Sequence, residues 1–380
     1  MLFKTIFIFF SQLLIVIGGT SCMLNNPQNL SGEMHELFND VRALNKYAQK
    51  QQLKIKKAII EKYELNGLIL PKAEFDNTLW KNIKAKDSVL NDVIISDSRF
   101  ENVDFSTGVF KSCIFKNSHF IDTIFDDSNF EETDFVNCTF HGSSFTSITG
   151  DVVLDYSTLE RVSFSKSEIE LSINSCNIKY CKFYSIKTIR LIINDCIFNK
   201  VDFSSSTIEN INIDNLKAEK GIFFDNSTIH EFNINNSLSF DKITLNRSKV
   251  QQILAKNSKF QGIGFVLNGT DANSIVFKNC SEYTTIAPAE ATIKKILIQN
   301  TKMRSLFTFD SVIDYFSIID CAINYKSYWG TARIKRLDIK NLYLDGEHDF
   351  TDLEIGEISA TGIKKGNTYK TIPSNMKSPF

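Results

Sequence analysis

Five histidines, five prolines, two tryptophans and sixteen glycines in 380 residues leave little of what usually marks an active site or a chain break. The histidines, His35, His119, His141, His230 and His348, share no metal-ligand spacing. No CxxC, HExxH, GxSxG or P-loop pattern occurs, and no GxGxxG lies between a strand and a helix. The sequence therefore offers no catalytic, cofactor or metal site, and no enzyme activity is expected. Forty-three Lys and Arg against 44 Asp and Glu remove the basic excess that nucleic-acid binding requires, so no nucleic-acid partner is expected. The apolar run Ile6 to Ile17, broken by Ser11 and Gln12, is short of the about 20 residues that a membrane-spanning helix needs.

What the sequence has in abundance is phenylalanine, 32 residues of it. Phe100, Phe105, Phe110, Phe115, Phe120, Phe125, Phe130, Phe135, Phe140 and Phe145 follow one another every five residues. The phase extends backward through Ile95, Leu90, Ala85, Trp80, Phe75, Leu70 and Leu65. At this Phe frequency the uninterrupted run is roughly a 10⁻¹¹ event by chance, so it is a true internal repeat. Two residues before each Phe stands a small residue: Ser98, Val103, Gly108, Cys113, Ser118, Thr123, Ser128, Thr133, Cys138 or Ser143. A period of five suits neither a lone strand nor an α-helix, so the chain must bury the column by coiling upon itself. Four pentads closing one coil would stack Phe100, Phe120 and Phe140 in one inner column and Phe105, Phe125 and Phe145 in the next. Successive coils would then be joined as a parallel sheet.

This pattern resembles the pentapeptide-repeat family, in which Leu or Phe is the centre and a small residue lies two before it. The resemblance implies an all-β fold, a right-handed quadrilateral parallel β-helix. Beyond Gly150 the pentads loosen and a coil-length repeat replaces them. Its segments begin at Leu171, Leu191, Ile211, Phe232, Ile253, Ile275, Ile296, Phe316 and Leu337, spaced 20 to 22 residues apart. One solenoid is expected over 65–363, with about 14 to 15 coils, followed by a C-terminal tail over 364–380.

Ahead of the repeat, Met1 to Ser21 reads as an export signal, with Lys4 before the apolar run and Gly18-Gly19-Thr20-Ser21 before Cys22. Small residues directly before a cysteine resemble a bacterial lipoprotein signal, although Gly19 stands where that family usually has an aliphatic residue. The resemblance implies lipidation of Cys22 and, through it, a membrane anchor on the periplasmic or surface side of the cell envelope. Residues 22–30 would form a tether. Met34, Leu37, Val41, Leu44, Ala48, Ile55 and Ala58 recur at helical spacing, which predicts one helix over 31–64 with Ser31 as N-cap, serving as cap or stalk.

Three constellations need a structural explanation weighed beside a functional one. Ser175, Asp195, Asn215, Asn236, Asn257, Asn279, Asn300, Asp320 and Asn341 occupy one position of successive coils. They suit turn corners, where Asn and Asp tolerate left-handed backbone and stack as ladders, better than a row of ligands. Cys113, Cys138, Cys176, Cys181 and Cys196 each lie two before an apolar centre, a position for a small buried residue. Cys176 and Cys196 lie one coil apart, yet parallel in-register neighbours are poorly aimed for a disulfide. Between Ser96 and Phe145, nine acids stand against Arg99, Lys111 and Lys116. That excess suits a solvated outer face, or the acidic rods that gyrase-protecting members of the family present in imitation of DNA. The expected role is a non-enzymatic scaffold or protein-binding surface in the bacterial envelope, with a protein partner that the sequence does not identify. The alternatives are a DNA-mimicking, topoisomerase-interacting protein and an envelope β-helix enzyme acting on polysaccharide.

Overall fold

The computed structural model describes residues 27–239, 241–262, 264–281 and 284–372. The leader and Cys22 lie outside the described residues. The chain divides into two compact units, Met1–Ser144 with Asp155–Glu160, and Phe145–Leu154 with Arg161–Phe380. Each is a stack of β-coils paired in parallel. Among the described residues, no helix is long and apolar enough to cross a membrane.

In the first unit each pentad is one side of a quadrilateral coil. The chain turns at a residue of positive φ two places after each centre, as at Asn77, Asn82, Asp87, Asp92, Asp97 and Asn102 (φ 51 to 55°) and onward to Asn137. Left-handed backbone costs an L-residue roughly 1–2 kcal/mol. Asn and Asp are placed there because a short polar side chain can offset that cost by bonding locally or to the next coil. Four such corners return the strand to its starting side 20 residues later, so Phe120 pairs with Phe100 below and Phe140 above. Likewise Phe115 pairs with Ile95 and Phe135.

The Phe rings fill the coil. All ten are buried, with relative exposures of 0–1%. Within a column they stack nearly parallel, Phe100 on Phe120 at 4.8 Å and Phe120 on Phe140 at 4.6 Å. The spacing is that of neighbouring strands, so register alone brings the rings into contact. Across columns they meet edge to face, as Phe105 and Phe110 do at 5.8 Å and 82°; both arrangements are favoured by the ring quadrupole. The small residue two before each centre also points inward. There its hydroxyl finds a backbone carbonyl: Ser118 donates to Lys116 at 2.9 Å and Ser128 to Phe105 at 3.1 Å. Gly108 takes this position where a Cβ would come within 2.9 Å of both the Phe105 carbonyl and the Phe110 ring.

The N-terminal helix differs from the prediction. Two short helices, α1 (Gly32–Asn39) and α2 (Val41–Lys50), replace one helix over 31–64. Asp40 breaks it: its backbone is extended at φ −127°, and its carboxylate caps α2 by accepting from Arg42 N and Ala43 N. Ser31 stands at the N-cap of α1 but makes no side-chain cap bond. Ile55 and Ala58, assigned to the helical seam, belong to strands Lys54–Lys56 and Ala58–Glu61. Their spacing of three fits the coil as well, because Ile55 and Ile60 are centres in the Phe phase and Ala58 is the small residue between them. Phe38, Leu44 and Ala48 are buried. Asn45 bonds Gly67 O at 2.8 Å and Ile69 N at 2.7 Å, satisfying an edge of the first coils that would otherwise be open to another strand.

The second unit turns its corners differently. From Lys187–Asn194 onward, two sides of the coil merge into eight-residue strands: Thr207–Asp214, Thr228–Asn235, Lys249–Lys256, Asp271–Lys278 and Thr292–Gln299. In Thr207–Asp214, Ile208, Ile211 and Ile213 point inward. Glu209 and Asn210 both point outward between them, bending the strand with no left-handed residue. The corner at its end keeps positive φ at Asp195, Asn215, Asn236, Asn257, Asn279, Asn300, Asp320 and Asn341. These are the amide and acid positions read from the sequence. They form a ladder, Asn279 Nδ2 donating to Asn257 at 3.1 Å and Asn300 Nδ2 to Asn279 at 3.0 Å. Residues 364–372, read as part of a tail, are coil: Lys364–Lys365 pairs with Tyr343–Leu344, and Lys370 with Glu347.

Candidate functional surfaces

Phe100 to Phe140 of the ladder line the first unit's interior and Phe145 lines the second's; all ten are buried, so they fill the coils and leave recognition to the outward side chains. The seven described cysteines are buried free thiols. Cys176 and Cys196 are coil neighbours whose contact is Cys176 N to Cys196 Sγ at 3.4 Å. Burial pushes the Cys113 thiol up to about 11 and the Cys138 thiol up to about 12, so neither is a nucleophile near neutral pH.

Among the described residues, no three His, Cys, Asp or Glu converge in a group that could hold a metal ion. In the first unit His35 hydrogen-bonds the Tyr63 hydroxyl, while His141 lies 3.7 Å from Glu160. His119 is pushed below the ordinary histidine range by burial and then by Arg99. In the second unit His230 lies on the surface. His348 is fully buried, and its Nδ1 lies 2.8 Å from Ser327 Oγ. Sequence reading missed this pair, although their separation of 21 residues is one coil. Its geometry is that of a plug. Trp329 Nε1 donates to the same Ser327 oxygen at 2.7 Å, His348 Nε2 bonds the Asp345 carbonyl at 3.1 Å, and both Ser327 and His348 have 0% exposure. Burial lowers the His348 pKa, which keeps the ring neutral.

The outer faces are ladders of like positions. On the acidic coils of the first unit, lysines answer carboxylates from coil to coil: Lys81 to Glu101 at 3.5 Å, Lys86 to Asp104 at 3.3 Å and Lys111 to Glu131 at 2.7 Å. Burial opposes the Asp104 charge, but bonds from Ser106 and Lys86 hold its carboxyl below the usual range. Asp134 goes the other way, raised by burial and then by Asp155. Aliphatic columns share these faces, with Ile69 and Val89 paired on one and Ile94 and Ile114 on the next, each 38–45% exposed.

Two depressions mark the second unit. A shallow one of about 320 Å³ follows the bend, with Thr207, Glu209, Thr228 and His230 on its rim and Ile208 and Ile229 in its floor. A larger one of about 530 Å³ lies beside a corner and is lined by Phe307, Phe309, Asp310, Tyr328, Gly330, Thr331 and Thr351.

Against known proteins, a family model for the SV2A/B/C luminal domain matches residues 37–140, within the first unit. No curated protein matches the sequence. Among solved structures, full-length QnrB1, a plasmid-mediated fluoroquinolone resistance protein, is 10% identical over 59% of this chain and 94% of its own, with a TM-score of 0.30. HetL, a pentapeptide repeat protein involved in heterocyst differentiation regulation in the cyanobacterium Nostoc, is 11% identical over 61% of this chain and 94% of its own (TM-score 0.23). The tailspike protein of E. coli bacteriophage HK620 is 8% identical over 90% of this chain and 78% of its own (TM-score 0.27). With likenesses of this size, the architecture rests on the coils of this chain.

Proposed function

We propose that this protein is a non-enzymatic scaffold of the pentapeptide-repeat type, exported and held at the bacterial envelope by a lipid on Cys22, whose coil faces bind a protein partner. The observation that carries the reading is the outward register. Each coil repeats the positions of the last, so in the first unit salt-bridged, amide and aliphatic columns run as flat ribbons on a filled core. Such ribbons suit recognition of an extended surface. Export and lipidation rest on the residue pattern from Lys4 to Cys22.

Radiolabelled palmitate should enter the wild-type chain and not Cys22→Ser, and protease shaving of whole cells should separate surface from periplasmic exposure. Absence of label from both chains removes the anchor. A second reading, imitation of DNA, is favoured by the acid excess between Ser96 and Phe145. It predicts an uncleaved N-terminus and altered topoisomerase activity in the presence of the purified chain; recovery of only lipidated, membrane-bound protein sinks it. An envelope enzyme acting on polysaccharide, the remaining alternative, would have to show turnover of such a polymer.

A further inference from the structure

The larger depression of the second unit has a construction that the scaffold reading does not use. Phe309, Gly330 and Thr351 each precede a corner residue of positive φ, Asp310, Thr331 and Asp352, so they occupy one outward column on three successive coils. Phe307 and Tyr328 are paired in the neighbouring column. Where the middle coil should present a side chain between Phe309 and Thr351, it presents Gly330, and a notch opens there. A Cβ at Gly330 would come within 2.7 Å of the Thr351 carbonyl, so the gap is built into the backbone approach.

The walls are aromatic and meet at an angle. The Phe309 and Tyr328 rings stand 85° apart with centroids separated by 6.0 Å. Phe307 adds a further ring, and among the described residues the lining contains one carboxylate, Asp310, and no Lys or Arg. Tyr328 is 39% exposed, and its hydroxyl is engaged by the Asp349 carboxylate. The tyrosine therefore offers the notch its ring, with its polar end already committed.

Perpendicular rings suit a compact, rounded cation. Two rings set at 85° leave an angle in which a cation can meet the π-face of each, and a carboxylate nearby completes the complement. A saccharide is best served by one flat platform, which these rings do not form. A neutral apolar guest would desolvate Asp310 without compensation. The volume, about 530 Å³, lies within the range of small-ligand sites, roughly 300–1,000 Å³. The geometry points to a binding site for an alkylated ammonium group, of the trimethylammonium kind, in the notch formed by Phe307, Phe309, Tyr328 and Asp310 over Gly330.

The test is titration of the full chain with tetramethylammonium and choline, followed calorimetrically, with neohexanol as the uncharged isostere of choline. Choline should bind saturably and about tenfold or more tightly than neohexanol, the range cation–π attraction supports. Phe309→Ala and Tyr328→Ala should each weaken choline about tenfold, and Asp310→Asn severalfold, whereas Tyr328→Phe keeps the ring and should bind like wild type. Asp310 is exposed at a corner, so its variant keeps the test valid should an aromatic truncation unfold the coil. Phosphatidylcholine vesicles against free choline distinguish the sources of the group: co-sedimentation lost in Tyr328→Ala marks a lipid headgroup, and binding of free choline alone marks a soluble one. Equal affinity for choline and neohexanol, no saturation by either cation, or saturable binding of maltotriose in their place overturns the proposal.

Discussion

The first unit turns its coil at left-handed residues every five positions and fills it with phenylalanine. The second keeps fewer of those corners, as at Asn279 and Glu290 in one coil, bends its strand through a pair of outward residues such as Glu209 and Asn210, and fills the coil chiefly with isoleucine and leucine. One Phe column persists there, Phe145, Phe164, Phe183, Phe203 and Phe224, stacked at 4.6–5.0 Å. Corner chemistry and core chemistry thus change together. Rings stack in every column only where every side of the coil is the same length; where two sides merge, a single column keeps the spacing. A merged eight-residue side brings inward residues at unequal spacing, which branched aliphatic chains can fill.

The largest expected effect tests the core. Phe120 touches rings above and below, so Phe120→Ala should cost about 3–5 kcal/mol through its cavity, with ring-pair attraction of about 0.5–1.5 kcal/mol lost at each stack. Ile296→Ala, in the second unit, should cost less, about 2–4 kcal/mol. Each unit carries one buried tryptophan, Trp80 in the first and Trp329 in the second. Urea unfolding of Trp329→Phe and Trp80→Phe backgrounds therefore reads each unit by its own fluorophore. A smaller loss at Phe120 than at Ile296 would break the contrast.

The corners give the next effect, with a sign that separates the units. Asn117 sits at φ 51° and is bonded to Asp97 at 3.1 Å and Asn137 at 2.9 Å. Asn117→Ala should lose about 1–2 kcal/mol, since alanine keeps the strain and loses the ladder. At Asp127, also left-handed at φ 58°, glycine should stabilise by about 1 kcal/mol. The same change at Glu209, where the bend needs no positive φ, should destabilise by about 0.5–1 kcal/mol. Thermal melts of the variants check the pair; the same sign at both sites would mean that the bend is a disguised left-handed corner.

These differences explain what was readable in advance. The Phe ladder was legible because its period is a single residue type, and the Asn and Asp row because left-handed corners select short polar side chains. The end of the helix was not legible: Ile55 and Ala58 satisfy a helical spacing and a pentad phase alike, and only pairing with Phe75 and its neighbours decides between them. The break at Asp40 was hidden for a similar reason, since an aspartate can begin a helix or sit on its polar face. The notch at Gly330 was missed because a glycine between two strands looks like a spacer until Phe309 and Thr351 are known to flank it on adjacent coils.

Buried thiols in both units predict a shared alkaline weakness. Cys138 is pushed to about 12 and Cys280 to about 11, each by burial, from an ordinary value near 9. Above pH 9 the unfolded chain releases these protons while the folded chain retains them. Their stabilising contribution is therefore complete below pH 9 and is lost as pH rises toward 11 to 12. Urea midpoints should fall over that window, and Cys138→Ser should flatten the first unit's decline. Alkylation of native protein at pH 8 should leave both thiols unmodified.

The smallest effect concerns the outer ladder, and its smallness is informative. Lys111 and Glu131 make a 2.7 Å ion pair, but their side chains are 50% and 49% exposed. Water screens such a pair, and fixing two long side chains offsets part of the attraction, so Lys111→Ala should leave the melt indistinguishable from wild type. Its effect should instead fall on the surface, because removing Lys111 leaves Glu131 beside Glu132 without its coil-to-coil partner. If the outer columns serve recognition, affinity for a partner captured on the wild-type chain should shift while the melt stays fixed. Phe120→Ala should do the reverse at temperatures where the coil remains folded. A melt that falls with Lys111→Ala as steeply as with Asn117→Ala would mean that these outer ion pairs help hold the coils together, which would give the first unit's surface the structural role assigned above to its core and corners.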